Sequence, residues 1–283
     1  MIKVLTVFVV AIAAMLYFLR PHFFATDAVP ASENSRTSSL QRIASLPSEI
    51  SESSGVVVLK PNSYLTHNDA GNKPHLYRLN NKAQVEQTYK LNLPNVDWED
   101  LAKDKEGNIY IADTGNNDNK RKELAVYKVN LNNPEQVQAI RYTYEDQKKY
   151  PPAKKERNFD CEAIFWHGGN IYLVSKDRGQ GATAKVYRLP DKPGNYKAKL
   201  IGSHKLKAEV TGAAISPNTQ TVLLISEGQL HLFTDYTSVD AFYEGKYQNI
   251  SLKEAGQTEA VAFEDDQTLI ITSEGGNLYR YTL

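Results

Sequence analysis

The feature that most constrains this chain is one module written five times at a nearly constant spacing. It is clearest at 158–179, NFDCEAIFWHGGNIYLVSKDRG, which has five parts in order. These are a carboxylate at Glu162, a short apolar run Ala163–Trp166, a glycine turn, a second run Ile171–Val174, and a polar loop. The same order recurs at 97–117 and 258–276, and more weakly at 53–71 and 211–228. The residue ahead of each first run serves as an anchor: Ser54, Glu99, Glu162, Gly212 and Glu259. Fourteen residues after each anchor lie Asn68, Asp113, Lys176, Ser226 and Ser273, where the polar loop starts. Self-similarity with a period of this size marks a repeat architecture, because one such unit cannot bury its apolar face alone.

After each loop comes a third run containing an aromatic: Leu76–Leu79, Leu124–Val129, Lys185–Leu189, Leu230–Phe233 and Leu278–Tyr281. Most copies carry a fourth, such as Val85–Leu91 and Lys199–Leu206. Short alternating runs bounded by Gly, Asn and Asp are strand signals. Four strands per unit in series predict an all-β fold, a β-propeller of five four-stranded blades. The anchors are 45, 63, 50 and 47 residues apart, and the long interval places an insertion at Asn130–Arg157. Six blades is the alternative, if that insertion folds as a degenerate blade. The last module stops after its third strand, while Ser39–Leu46 precedes Pro47 much as Tyr89–Leu93 precedes Pro94. An N-terminal strand completing the last blade would close the ring and leave no long exposed edge.

Residues 39–283 are thus expected to form one propeller domain. Residues 1–24 are read as a signal anchor or signal peptide: Lys3 precedes sixteen uncharged residues, Val4–Leu19, ended by Arg20 and Pro21. Residues 25–38, rich in Ala, Ser and polar side chains, read as a flexible tether. The expected location is the periplasmic side of the inner membrane, or outside the cell if the segment is cleaved. Membrane contact is assigned to that segment only. The balance of 33 basic and 33 acidic residues leaves no nucleic-acid footprint. The single cysteine, Cys161, excludes an intrachain disulfide and a multi-cysteine zinc site. No Gly-x-Ser-x-Gly elbow, phosphate-cradling Gly-Lys loop or His-Glu-x-x-His helix is present.

In a propeller, the residues entering each inner strand and the loop between the second and third strands meet at one mouth of the channel. Glu99, Glu162 and Glu259 enter three blades, and Asp113 follows Glu99 by the shared offset. Asp97 and Asp160 precede two of these glutamates by two residues, so each pair is expected on one side of an extended chain. Several carboxylates around a narrow channel raise one another's pKa unless a cation joins them. All-oxygen ligands suit a hard ion such as Ca²⁺ or Mg²⁺. The opposing expectation is structural: Lys176, Arg178 and Arg121 neutralise these acids and latch blades together. His67, in the first module's loop, is the candidate base. Trp98 and Trp166 are candidate aromatics for a binding mouth.

At DWEDLA (97–102), FDCEA (159–163) and VTGAAIS (210–216) the sequence resembles a group of exported bacterial β-propeller proteins that look related to the SdiA-regulated family. More distantly it resembles regucalcin-like and phytase-like propellers. The resemblance runs from about Pro47 to the C-terminus. It implies a divalent ion in the channel, Ca²⁺ in particular, and hydrolysis of esters, lactones or phosphates. It carries ligand roles to Glu99, Glu162, Glu259 and Asp113, while Ser54 and Gly212 interrupt the ring of acids. The functional expectation is a metal-dependent hydrolase of ester or phosphoester substrates. The alternative is a non-catalytic propeller that binds a small-molecule ligand or another protein of the cell envelope.

Overall fold

Each run of the repeat is only four to eight residues long and is bounded by turn residues such as Gly, Asn and Asp. Such runs form short antiparallel strands rather than helices. The computed structural model describes residues 39–283. The first strand, β1 (Leu40–Ser45), precedes the first repeat. The first sheet contains β2 (Ser53–Lys60), β3 (Ser63–Asn68), β4 (His75–Asn80) and β5 (Val85–Lys90). The second contains β6 (Trp98–Lys103), β7 (Asn108–Asp113), β8 (Leu124–Asn130) and β9 (Asn133–Tyr144). The third contains β10 (Asp160–His167), β11 (Asn170–Lys176), β12 (Thr183–Pro190) and β13 (Gly194–Lys205). The fourth contains β14 (Val210–Ile215), β15 (Val222–Ser226), β16 (Gln229–Thr234) and β17 (Lys246–Ser251). The last contains β18 (Thr258–Phe263), β19 (Thr268–Ser273) and β20 (Asn277–Thr282).

Within each set the strands pair antiparallel in sequence order. The last set is completed by β1, which pairs antiparallel with β20, Leu40 opposite Tyr281 and Ser45 opposite Asn277. The inner strands touch in a closed cycle, β2 to β6 to β10 to β14 to β18 and back to β2. Five apolar clusters fill the gaps, each built from two neighbouring sheets. The fold is a β-propeller. Ring closure through β1 is what keeps β20 from presenting a free edge.

The interval 130–157 differs from the expected insertion. Its first half is β9, the outer strand of the second sheet. That strand also pairs in parallel with the start of β13, Ile140 beside Gly194 through Tyr144 beside Ala198. No sixth set of four strands forms among the described residues. The apolar run Val4–Leu19 and the tether lie outside the described residues. Among the described residues no helix is long and apolar enough to cross a membrane.

One backbone irregularity repeats in every inner strand. The register against the second strand slips between Ser53 and Gly55, Trp98 and Asp100, Cys161 and Ala163, Val210 and Gly212, and Thr258 and Ala260. The extra residues are therefore Ser54, Glu99, Glu162, Thr211 and Glu259. The fourth anchor is corrected from Gly212 to Thr211. A bulge of this kind re-aims one side chain away from the ordinary alternation. The next residue is small in four sheets (Gly55, Ala163, Gly212, Ala260) and an aspartate, Asp100, in the fifth. A Cβ on Gly55 would lie 2.8 Å from the Leu101 amide nitrogen, and one on Gly212 would lie 2.8 Å from the Glu259 carbonyl. The inner strands approach too closely there for larger residues.

Candidate functional site

The bulges position the site. Four of the five bulged residues, Ser54, Glu99, Glu162 and Glu259, line one cavity of about 440 Å³ at the strand-entering end of the channel. The loop residue Asp69 and the strand-preceding residues Glu52 and Asp97 line it too, with Glu274, Asn117, Lys176 and Arg178. Seven of these side chains are carboxylates and two are basic, so the cavity is strongly acidic. The hydroxyls at the two interrupted positions tie sheets together instead. Ser54 Oγ donates to the Glu99 carbonyl at 2.6 Å and Thr211 Oγ1 to the Thr258 carbonyl at 2.8 Å.

The acids divide by partner. Asp160 is fully buried; its Oδ2 accepts from Arg178 Nε at 2.5 Å and its Oδ1 from the Asn116 backbone amide at 2.5 Å. Glu162 accepts from Arg178 Nη2 at 2.5 Å and from Lys176 Nζ at 3.2 Å. Asp113 accepts from Arg121 Nη2 at 2.9 Å and from the Asp97 amide at 3.1 Å. Among the described residues it therefore turns to Arg121 and stays out of the cavity lining, unlike the three glutamates grouped with it in the sequence. These pairs are the latches weighed above. Glu99 is different. It is 5% exposed, and among the described residues no donor lies within hydrogen-bond distance of its carboxylate. It sits where two carboxylate triplets overlap, Asp69–Asp97–Glu99 and Glu99–Asp160–Glu162, the ligand atoms of each within 4.8 Å of one another. Both Asp97 and Glu99 rest on the bare Cα of Gly115, and any side chain there would overlap them.

The electrostatics follow from this crowding. Burial pushes Glu99 well above the usual glutamate range, and the charges of Glu162, Asp160, Asp69 and Asp97 push the same way. Burial and then Asp69 and Asp160 raise Asp97 to about 6. Burial raises Glu162, with Asp160 adding to it and Lys176 and Arg178 opposing. Glu259 is raised to about 7, first by burial, against the pull of Lys176. With no cation the cavity holds protons near neutrality; a hard dication would replace them on oxygen ligands. Among the described residues, Asp69, Asp97 and Glu99 are the triplet without an ion-pair partner, and so are best placed to hold one.

Two candidates lie elsewhere. His67 is the fifth residue of β3, not a loop residue, and is completely buried between the first two sheets, edge-on to Trp98 at 5.6 Å between ring centroids. Its Nδ1 donates to the Asn68 carbonyl at 2.9 Å, Nε2 has no partner among the described residues, and burial lowers its pKa to about 4. It does not line the cavity and is not positioned as its base. Trp98 is fully buried, and Trp166 lies at the opposite end of the channel. Cys161 is buried, its thiol pushed up by burial.

Sequence reasoning missed Asp100. Its carboxylate closes the channel below the bulges, accepting from the backbone amides of Leu101 at 2.7 Å, Ile164 at 2.8 Å and Ala213. Three inner strands are thereby tied through one side chain. The signal was available: Asp100 stands at a position filled by Gly or Ala in the other repeats.

No protein-family model and no curated protein matches the sequence. Solved structures do. A gluconolactonase from Xanthomonas campestris superposes with a TM-score of 0.50 at 14% identity, covering 86% of this chain and 89% of the other. A PQQ-bound aldose sugar dehydrogenase from Streptomyces coelicolor gives 0.49 at 12% identity, covering 86% and 96%. A virginiamycin B lyase from Staphylococcus aureus gives 0.43 at 12%, covering 84% and 68%. At 14% identity the likeness to the gluconolactonase is one of fold.

Proposed function

We propose that the protein binds a hard divalent cation, Ca²⁺ foremost, at the channel mouth, and hydrolyses ester or phosphoester substrates there. The carrying observation is the Glu99 carboxylate: buried, without a donor among the described residues, aimed into an acidic cavity and shared by two carboxylate triplets. Burying an ionised carboxylate without a partner is costly, and a cation removes that cost. Asp69, Asp97 and Glu99 hold the ion; when bound, such an ion polarises a substrate oxygen and acidifies water.

The remaining wall is built for an oxygen-rich substrate. Lys176 and Arg178 present ammonium and guanidinium groups across the cavity, each already oriented by Glu162. They would hold the carbonyl or phosphoryl oxygen of a substrate. Glu259, titrating near 7 at the same wall, takes the base role that the sequence assigned to His67. The proposed location is the periplasmic side of the membrane, supported by the apolar run Val4–Leu19.

The test compares wild type with Glu99→Gln in thermal melts with chelator, Ca²⁺, Mg²⁺ or Mn²⁺, alongside hydrolysis of aryl esters, lactones and aryl phosphates. A ligand-linked rise in melting temperature that grows with ion concentration and disappears in the variant supports the site. Melts indifferent to all three ions would refute it. Ion binding without turnover of any substrate class would leave a ligand-binding propeller.

A further inference from the structure

The acidic mouth accounts for one end of the channel only. Below Asp100 the inner strands run on to residues 58–61, 103–107, 166–167, 215–217 and 263–264, which surround a second cavity of about 620 Å³. That volume lies within the roughly 300–1,000 Å³ of small-molecule sites. Its walls are mostly apolar, with Leu101, Ile164 and Val261 deep and Trp166, Ile215 and Phe263 nearer the opening.

Among the described residues, the unpaired charge lining this opening is three lysines against one carboxylate, Glu106, which is as exposed as Lys60 and Lys105. The lining acids Asp104 and Glu264 are spoken for. Asp104 accepts from Asn108, from Tyr110 and from Lys128, while Glu264 accepts from Arg280 at 2.8 Å. Glu106 is exposed. Three lysines also line the cavity: Lys60, Lys103 and Lys105. None makes a carboxylate ion pair among the described residues. Lys103 is the telling one. It is half-buried at the end of β6, and among the described residues its Nζ donates only to the backbone carbonyls of Val58 and Leu59. An ammonium carries three protons, so one remains for a ligand. At the inner end, the Asp100 carboxylate sits on the amides of Leu101, Ile164 and Ala213. A charged headgroup finds no counter-charge among the apolar side chains at that end and is favoured at the opening.

We infer that this end of the channel is a second binding site, for a small amphipathic carboxylate of the fatty-acid type. The carboxylate head rests on Lys103 and Lys105, and the apolar tail points inward toward Leu101 and Ile164. The site is independent of the cation at the other mouth, since the two cavities have no lining residue in common.

Trp166 lines the cavity while Trp98, the other tryptophan of the chain, is fully buried. Fluorescence of the full-length chain is therefore titrated with octanoate, with octan-1-ol as the uncharged counterpart. A saturable change with a Kd below about 10 mM is expected. It should vanish in Trp166→Phe and weaken roughly two- to fivefold in Lys103→Gln and Lys105→Gln, one ion pair each. It should persist in Glu99→Gln and in chelator, which separates this site from the mouth. No saturable response, equal affinity for octan-1-ol, or unchanged affinity in both lysine variants would overturn the proposal. Should Lys103→Gln fail to fold, Lys105→Gln and the loss of affinity at high salt decide the matter.

Discussion

Glu259 lends itself to a quantitative test, because its position fixes both the sign and the size of an effect. The perturbation is Glu259→Gln, measured in chelator so that no cation intervenes. Glu259 titrates at about 7 in the folded chain, against 4.5 for an ordinary glutamate. A carboxyl group raised in the folded state costs stability as the pH rises from its unfolded value through its folded one. Below about 4.5 both states hold the proton and the cost is absent; above about 7 it is complete. The difference corresponds to about 3 kcal/mol at pH 8. The cavity opens to water and Lys176 stays beside Glu162, so roughly half of this is expected in practice, on the order of 1–2 kcal/mol. For a domain of this size that raises the melting temperature by about 3–6 °C. Thermal melts of wild type and variant from pH 4 to pH 9 measure it. The curves should converge at pH 4 and separate above pH 7, the variant being the more stable. A variant less stable than wild type at pH 8, or a difference independent of pH, would show that Lys176 holds Glu259 as a latch and would refute the reasoning.

Two further outcomes follow from the architecture. Asp100→Ala strips three backbone amides of their acceptor inside the channel and should cost about 3–5 kcal/mol in urea denaturation; a loss under about 1 kcal/mol would mean that water replaces the carboxylate without penalty. Deleting residues 39–46 removes β1 and bares β20, so the truncated chain should melt well below wild type and associate through the new edge in light scattering; equal stability would discard closure by β1.

Much of this protein was readable from its repeat. Counted from the bulged residues, the fourteen-residue offset marks the ends of β3, β7, β11 and β19, where Asn68, Asp113, Lys176 and Ser273 are the last strand residues; in the fourth sheet it is fifteen, from Thr211 to Ser226. It works because turn residues and strand length repeat together, and both are local properties. The closing strand was legible for the same reason: a missing fourth strand at one end matched a spare one at the other. The blade anchored at Gly212 was misread by one residue, since a bulge alters pairing without altering the apolar pattern that identifies the strand.

What the chain alone determined is the set of elements, their order, and the placing of acids at the starts of inner strands. Only the tertiary structure decided which acids remain without a counter-charge. Asp113 and Asp160 meet Arg121 and Arg178, whereas among the described residues no basic group pairs with Glu99, whose carboxylate lies beside those of Asp69, Asp97, Asp160 and Glu162. His67 was lost to the site because strand alternation turns it between two sheets, a matter of facing that a loop-like sequence, THND, does not reveal. Asp100 became a tie between three strands only when the ring closed and brought the amides of Ile164 and Ala213 to one carboxylate. Local sequence sets strands and turns through short-range sterics and hydrogen bonding. Charge pairing and burial depend on residues tens to hundreds of positions apart, and those distances exist only in the folded ring.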